Sequence, residues 1–189
     1  MIHLVKILTI SNFISFFRLL LAVPFWIMLD NIQYGGMRYY IFGLCLFAAG
    51  TDILDGYLAR KFKQVTEFGK IIDPLADKIA VGVIIVKLYV MEEIPLYYFL
   101  AIIGRDLIIF IGGILLSLKI GKVLPSNALG KFTVIIIGIV ILLIVLHVNR
   151  KEILFLAFYG LSIILIISSL IAYSVRAFEF FKKKNYESV

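Results

Sequence analysis

Charged side chains are scarce in this chain, and their scarcity excludes an ordinary water-soluble globule. Asp, Glu, Lys and Arg make up 16% of the 189 residues, whereas apolar residues make up 62%. Soluble domains average about 25% charged residues, so the polar side chains here are too few to cover a globular surface. The composition therefore predicts an integral membrane protein.

Cysteine and histidine are also nearly absent, which limits the available chemistry. Cys45 is the single cysteine, so no disulfide can form within the chain, and we expect its thiol to pack in the core. The two histidines, His3 and His147, have no metal-ligating neighbours in the sequence. A zinc site, which uses Cys and His ligands, is therefore not indicated.

Long apolar runs occupy most of the sequence, and six of them approach the length of about 20 residues that a helix needs to cross a bilayer. They predict an all-α fold of six transmembrane helices in a single membrane domain over residues 1–189. The first run has no cleavage site resembling a signal peptide, so we expect it in the mature protein. The runs are residues 14–29, 39–58, 71–91, 96–118, 132–148 and 153–175.

The Lys and Arg residues between these runs predict the orientation. Most of them fall on one side, which includes both ends of the chain, against Arg38, Arg150 and Lys151 on the other. By the positive-inside rule, both termini are cytoplasmic in a multi-pass protein of the cell (inner) membrane. The basic run 182–184 is expected at anionic lipid headgroups rather than on nucleic acid. Lys87, near the outer end of the third run, is expected to extend its ammonium group to the surface.

Four aspartates interrupt the second and third apolar runs: Asp52, Asp55, Asp73 and Asp77. A charge within a membrane costs roughly 2.5–3.5 kcal/mol on insertion scales, so four together need a compensating partner. Helical positions three or four apart share a face, which pairs Asp52 with Asp55 and Asp73 with Asp77. The short basic connection makes the two helices antiparallel neighbours. The pairs are then predicted to meet in a polar cavity that faces the cytoplasm.

The four carboxylates are suited to one or two hard divalent cations, Mg²⁺ or Mn²⁺. Without a metal they would repel one another. A carboxylate-held Mg²⁺ keeps coordination positions for phosphates, which predicts a phosphorylated substrate. Gly56 and Gly69 would let a bulky ligand approach the two helices, and Arg60 could pair with a phosphate.

Two alternatives to a metal-dependent enzyme stay open for these residues. A transporter of protons or cations also uses carboxylates within the membrane. Single Asp and Gly residues can serve helix pairing and close helix packing alone. The combination of four carboxylates with Gly and Arg favours an enzyme over both.

The pattern Asp52-x₂-Asp55-Gly56-x₂-Ala59-Arg60-x₈-Gly69-x₃-Asp73-x₃-Asp77 resembles the complete signature of the CDP-alcohol phosphatidyltransferases. The chain length and the six predicted spans agree with that family. The resemblance implies transfer of a phosphatidyl group from CDP-diacylglycerol to an alcohol, with release of CMP, in phospholipid biosynthesis. It also suggests a homodimer.

The resemblance further implies roles for the signature residues. Asp52, Asp55 and Asp73 would hold two divalent metals, and Asp77 would contribute to the second metal and act as general base on the acceptor hydroxyl. The remaining signature residues would line the pocket for cytidine and phosphate: Gly56, Ala59, Arg60 and Gly69.

For the acceptor, the resemblance favours sn-glycerol 3-phosphate and leaves open phosphatidylglycerol or another alcohol. The Asn12-x₅-Arg18 stretch, with Arg105 and Lys131 as acceptor-binding cations, resembles the phosphatidylglycerophosphate synthases, which use sn-glycerol 3-phosphate. Those enzymes usually have a second Arg where this chain has Gly113, and a second Lys after Lys131. The Arg105-Asp106 pair is closer to cardiolipin synthases, whose acceptor is phosphatidylglycerol. Arg105 could also be a structural residue that pairs with Asp106 or with a neighbouring span.

Overall fold

Six helices account for almost all of the chain that the structure, a computed structural model, describes. The backbone is described for residues 10–61, 69–120 and 128–187, and the side chains for residues 17, 19–51, 78–115 and 128–179. The all-α prediction is confirmed over these ranges, and each predicted run falls on one helix. The helices are α1 (Ile10–Asp30), α2 (Met37–Lys61), α3 (Gly69–Val90), α4 (Leu96–Ile120), α5 (Ala128–Val145) and α6 (Ile153–Glu187).

Three helices are long and apolar enough to cross a membrane, as judged from the described residues. Their apolar stretches are Leu96–Leu115, Ala128–Val145 and Ile153–Glu179, and α1 carries a shorter one, Leu19–Asp30. These stretches agree with a membrane protein. The full set of six spans and the cytoplasmic cavity stay predictions.

Two helices end at a residue with positive φ that is not glycine. His147 (φ 56°) follows α5, and the next residue, Val148, donates its N–H to the Leu143 carbonyl at 3.0 Å. This is the hydrogen-bond pattern of a Schellman cap, and Glu92 (φ 58°) has the same role after α3. The fifth run, predicted to reach residue 148, therefore ends as a helix at Val145.

The chain divides into two compact units, Met1–Glu93 and Ile94–Val189, and the single domain predicted over residues 1–189 stays a prediction. In the first unit, α1 packs against both α2 and α3. Its buried residues Ala22, Phe25 and Leu29 recur at the three- and four-residue spacing of one helix face. Their burial holds this unit together.

Lys87 of α3 is buried in the first unit, with only 4% of its surface exposed. Its ammonium group forms an ion pair with Asp30, the last residue of α1, and lies 4.5 Å from the centroid of the Trp26 ring. The prediction that Lys87 extends to the surface is wrong, because the carboxylate and the ring provide partners inside the unit. The contact also joins the C-terminal ends of α1 and α3, so these helices are parallel.

In the second unit, α6 packs against α4 and α5. The Tyr98 hydroxyl lies 2.8 Å from Ser162 Oγ, and Arg105 Nε donates to Ser169 Oγ at 3.2 Å. The partners advance by seven residues on both helices, so α4 and α6 run parallel, with a heptad-like seam between them. We call this the α4–α6 seam. Thr133 of α5 donates to the Leu165 carbonyl of α6 at 3.3 Å.

The ion pair in the first unit predicts an asymmetry between two substitutions. Asp30→Ala leaves a buried ammonium group without its carboxylate, and we expect it to lower the free energy of unfolding by on the order of 2 kcal/mol. This is below the usual cost for a fully buried pair because the Asp30 side chain is 56% exposed. Lys87→Met removes the charge but keeps the packing, so its cost should stay within about 1 kcal/mol.

Thermal unfolding in detergent measures both changes, and Lys151→Met at an exposed lysine is the matched control. Equal losses of stability in Asp30→Ala and Lys87→Met would show that the unpaired ammonium group is not the cause of the loss in Asp30→Ala.

Candidate functional site

The four aspartates of the signature lie on two helices of the first unit. Asp52 and Asp55 belong to α2, whereas Asp73 and Asp77 belong to α3. The backbone is helical through both pairs, so their separations of three and four residues are those of neighbours on one helix face. Their carboxylates lie outside the described side chains. Among the side chains that are described, no three His, Cys, Asp or Glu residues are grouped as a metal site would need.

The directions of the helices determine where the two halves of the signature lie in the first unit. Because α1 and α3 are parallel and a short turn at residues 31–36 reverses the chain between α1 and α2, α2 runs antiparallel to α3. The C-terminal part of α2 and the N-terminal part of α3 therefore lie at the same end of the unit. The first of these contains Gly56, Ala59 and Arg60, and the second begins at Gly69. The side chains of these residues also lie outside the described set.

Arg105 is the buried cation of the second unit, with 5% of its surface exposed. Besides its bond to Ser169, its Nη1 lies 2.5 Å from Asp106 Oδ1, and its Nη2 donates to the Gly130 carbonyl at 3.2 Å. One guanidinium group thus links α4, α5 and α6. A buried charge is tolerated only when it is paired and hydrogen-bonded, and these three contacts meet that condition.

The start of α5 is built around this guanidinium group. A Cβ atom added at Gly130 would lie 3.2 Å from Arg105 Nη2, so a larger residue there would push against the cation. The next residue, Lys131, is exposed. The two cations predicted to bind the acceptor therefore differ in setting, since Arg105 is buried behind Gly130 and Lys131 lies at the surface beside it.

The Arg105 cluster lies well inside the apolar length of the second unit. The apolar stretch of α4 continues from Arg105 to Leu115, and that of α6 from Ser169 to Glu179, which is about 15 Å of helix in each case. Gly130 of α5 lies at the level of the cluster, because its carbonyl accepts the hydrogen bond from Arg105 Nη2.

No role was predicted from the sequence for the two serines of the α4–α6 seam. Ser162 and Ser169 are buried, and their hydroxyls bond to Tyr98 and Arg105. The available signal was a shared spacing of seven residues, which separates Tyr98 from Arg105 on α4 and Ser162 from Ser169 on α6. A polar residue that recurs at a heptad spacing within an apolar helix indicates a polar seam with a neighbouring helix.

Comparison with known proteins places the chain in a family. Residues 8–174 match the family model of the CDP-alcohol phosphatidyltransferases. A CDP-diacylglycerol–glycerol-3-phosphate 3-phosphatidyltransferase of Aquifex aeolicus is 33% identical over 187 residues, which cover 94% of this chain and 100% of that protein. The enzyme of the same name from Bacillus subtilis is 36% identical over 121 residues, 62% of each chain.

A third relative has another name. A cardiolipin synthase (CMP-forming) / mitochondrial hydrolase fusion protein of Schizosaccharomyces pombe is 39% identical over 104 residues, which are 55% of this chain and 17% of that protein. The family match extends over most of the chain, ends within α6 and includes every residue of the aspartate signature. The chain therefore belongs to the CDP-alcohol phosphatidyltransferase family and is a transferase enzyme.

Proposed function

We propose that the chain transfers the phosphatidyl group of CDP-diacylglycerol to sn-glycerol 3-phosphate. The acceptor's hydroxyl oxygen forms a bond to the phosphorus that carries diacylglycerol, and the bond from that phosphorus to the oxygen of CMP breaks. The hydroxyl proton passes to a base on the enzyme, and the products are phosphatidylglycerophosphate and CMP. The observation that carries this proposal is the buried Arg105, which contacts Gly130 next to the exposed Lys131 and is a fixed cation suited to a phosphorylated acceptor.

The aspartates are proposed as the ligands of two divalent ions, Mg²⁺ or Mn²⁺. Their fit rests on the donor set, since four carboxylates at helical spacing on α2 and α3 offer the oxygen ligands that hard cations prefer. When bound, such ions would neutralise the diphosphate of the donor lipid. Asp52, Asp55, Asp73 and Asp77 would hold them, and Asp77 would also accept the proton of the acceptor hydroxyl.

The pocket for cytidine and the donor phosphates is proposed to lie at the C-terminal part of α2 and the N-terminal part of α3. Gly56, Ala59, Arg60 and Gly69 belong to these two segments, which chain direction brings to one end of the unit. Glycines permit a ligand to approach the backbone, and a guanidinium group can bind a phosphate through two parallel hydrogen bonds.

Arg105 and Lys131 are proposed to bind the phosphate of the acceptor. A guanidinium group carries five N–H donors, and the bonds to Ser169, Asp106 and Gly130 use one on each nitrogen. These three bonds hold the helices together, and the remaining N–H groups can still donate to a ligand. The exposed Lys131, next to Gly130, would add a second positive charge. Two cations favour the phosphate monoester of glycerol 3-phosphate over the diester of phosphatidylglycerol, because the monoester carries more negative charge.

The same proposal includes a membrane arrangement. The six apolar runs give six spans, and the bias of Lys and Arg between the runs places both termini in the cytoplasm. Membrane lipids would then reach the donor site laterally, while water-soluble acceptor and CMP would exchange with the cytoplasm. The homodimer suggested by the family resemblance stays a prediction.

A panel of acceptors tests the function directly. Purified protein receives CDP-diacylglycerol, Mn²⁺ or Mg²⁺ and one acceptor at a time: glycerol 3-phosphate, phosphatidylglycerol, inositol phosphate or serine. We expect CMP release with glycerol 3-phosphate and a product with the mass of phosphatidylglycerophosphate. Formation of cardiolipin from phosphatidylglycerol instead would support the same class of reaction but contradict glycerol 3-phosphate as the acceptor. Ion flux in proteoliposomes without any CMP release would support the transporter.

Replacing the proposed base should lower the rate of the reaction without changing the stability of the fold. Asp77→Asn keeps the size of the side chain but removes its basicity, so we expect kcat to fall by about 10²–10⁴-fold with an unchanged thermal midpoint. The control is Glu152→Gln, at an exposed carboxylate in the turn before α6. Turnover by Asp77→Asn close to that of the control would remove Asp77 from the base role.

The proposed acceptor site predicts a selective change in KM. Arg105→Lys keeps the charge but loses the forked guanidinium, so the KM for glycerol 3-phosphate should rise at least about tenfold, with the KM for CDP-diacylglycerol unchanged. Ser169→Ala is the matched control, because it removes a partner of Nε and leaves the guanidinium in place. An equal rise in both KM values, or a rise in neither, would show that Arg105 serves the fold alone.

A further inference from the structure

Aromatic side chains are packed together at the end of the second unit where α4 and α6 begin. The centroid of the Tyr159 ring lies 4.6 Å from that of Tyr98 and 5.7 Å from that of Phe155. Tyr98 and Phe155 are buried, whereas Tyr97 is 62% exposed, and its hydroxyl lies 2.7 Å from the Tyr159 hydroxyl. The packed rings therefore hold a pair of hydroxyls at a fixed place on the surface.

A count of hydroxyl protons shows that this pair can donate one more hydrogen bond. Ser162 Oγ donates to the Tyr159 carbonyl at 2.6 Å, so the Tyr98 hydroxyl is the donor in its 2.8 Å contact with the same Oγ. Tyr97 and Tyr159 share one bond, which uses one of their two protons whichever of them donates. One O–H group of the pair therefore remains to bind a group outside it.

The hydroxyl pair lies within the apolar length of both helices. Tyr97 is the second residue of the apolar stretch of α4, and Tyr159 lies about 9 Å along that of α6. Leu100, one turn after Tyr97, and Leu156, one turn before Tyr159, are each more than half exposed. A donor in such a setting meets little water in a membrane, so the oxygens of a lipid headgroup are the acceptors within its reach.

The turn before α6 brings positive charge to the pair. Arg150 is exposed, and it is close enough to Tyr159 for its charge to act on that hydroxyl. The next two residues, Lys151 and Glu152, have opposite charges, so Arg150 leaves the turn net positive. The Asn149 side chain accepts a hydrogen bond from the Lys151 backbone N–H at 3.0 Å, which orders the turn. The hydroxyls thus have a cation on one side and exposed leucines on the other.

We propose that this end of the second unit binds an anionic phospholipid. The lipid phosphate accepts the remaining O–H of Tyr97 and Tyr159, and Arg150 attracts the negative charge of the headgroup. The acyl chains lie along Leu100 and Leu156. A hydrogen bond to an ionised oxygen is stronger than one between neutral groups, and tyrosine suits the membrane interface because its ring is apolar and its hydroxyl polar. The proposal goes beyond the proposed reaction, since no residue of this site belongs to the aspartate signature or to the acceptor site.

Native mass spectrometry of the full chain in detergent tests this binding. The protein is titrated with phosphatidylglycerol or with phosphatidylcholine of the same acyl chains, and the fraction with bound lipid gives the affinity. Both lipids have a phosphate diester, but only phosphatidylglycerol has a net negative charge. We expect the unmodified protein to bind phosphatidylglycerol about fivefold more tightly, the effect of one cation near the headgroup.

Two substitutions separate the hydrogen bond from the charge. Tyr97→Phe combined with Tyr159→Phe removes both hydroxyls and keeps the rings, so the affinity for both lipids should fall about 3- to 10-fold. Arg150→Gln removes the charge, so the preference for phosphatidylglycerol should disappear while the affinity for phosphatidylcholine stays the same. Tyr39→Phe, at an exposed tyrosine of the first unit, is the matched control and should leave both affinities unchanged.

A single substitution distinguishes lipid binding from a purely structural pair. Tyr97→Phe alone breaks the bond between α4 and α6 but leaves the Tyr159 hydroxyl as a donor, so lipid affinity should fall less than in the double variant. If the pair only joins the helices, the thermal midpoint should already fall fully in Tyr97→Phe, and the double variant should bind both lipids like the unmodified protein. That result would overturn the proposal.

Other occupants of this surface give other results, each of which would also overturn the proposal. Displacement of the lipid by an equal concentration of inorganic phosphate would indicate a simple anion site. A change in the ratio of monomer to dimer in the double variant, with unchanged lipid affinity, would indicate contact with a second copy of the chain. Loss of lipid binding in EDTA would place the lipid at the proposed metal site. Failure of CMP release alone counts against the proposed reaction and leaves this measurement unaffected.

Discussion

The cost of burying charge among apolar side chains is the constraint on which both units depend. Lys87 and Arg105 are almost completely buried, and each is held by partners from other helices. The Lys87 pair joins the ends of α1 and α3, while the Arg105 contacts join α4, α5 and α6. Since a buried cation without partners is strongly unfavourable, these contacts fix which helices can be neighbours and at what level along their axes.

The same constraint links the second unit to its proposed role. A guanidinium group buried among helices is an expensive way to join them, since apolar residues of similar volume can stabilise as well. The Arg105 guanidinium also contacts Gly130, beside the exposed Lys131, and these two cations are the groups proposed to bind a phosphorylated acceptor.

Local features of the sequence predicted much of the fold. Apolar runs placed all six helices, because the length of a run and the absence of charge are properties of contiguous residues. The end of α5 was predicted a few residues too late. His147 caps this helix, whereas glycine is the usual sequence signal for a cap. The spacing of the four aspartates was read correctly onto two helices, and their suggested ligand chemistry depends on residue type alone. Asp106 was foreseen as a partner of Arg105 because it is adjacent.

Contacts between distant residues could not be predicted in this way. Asp30 lies 57 positions from Lys87, and Ser169 lies 64 positions from Arg105. Nothing in a single sequence selects these pairs among many polar residues. The close approach of the Tyr173 ring on α6 to Gly112 on α4 likewise depends on which helix faces Gly112.

The central proposal is that the carboxylates of α2 and α3 hold the divalent ions of a phosphatidyl transfer. Anomalous diffraction at the manganese absorption edge tests it most directly, with crystals of the protein grown in Mn²⁺ and CDP-diacylglycerol. The account predicts manganese peaks within coordination distance of the carboxylates of Asp52, Asp55, Asp73 and Asp77. Manganese bound elsewhere, with none at these carboxylates, in protein that releases CMP under the same conditions would contradict it.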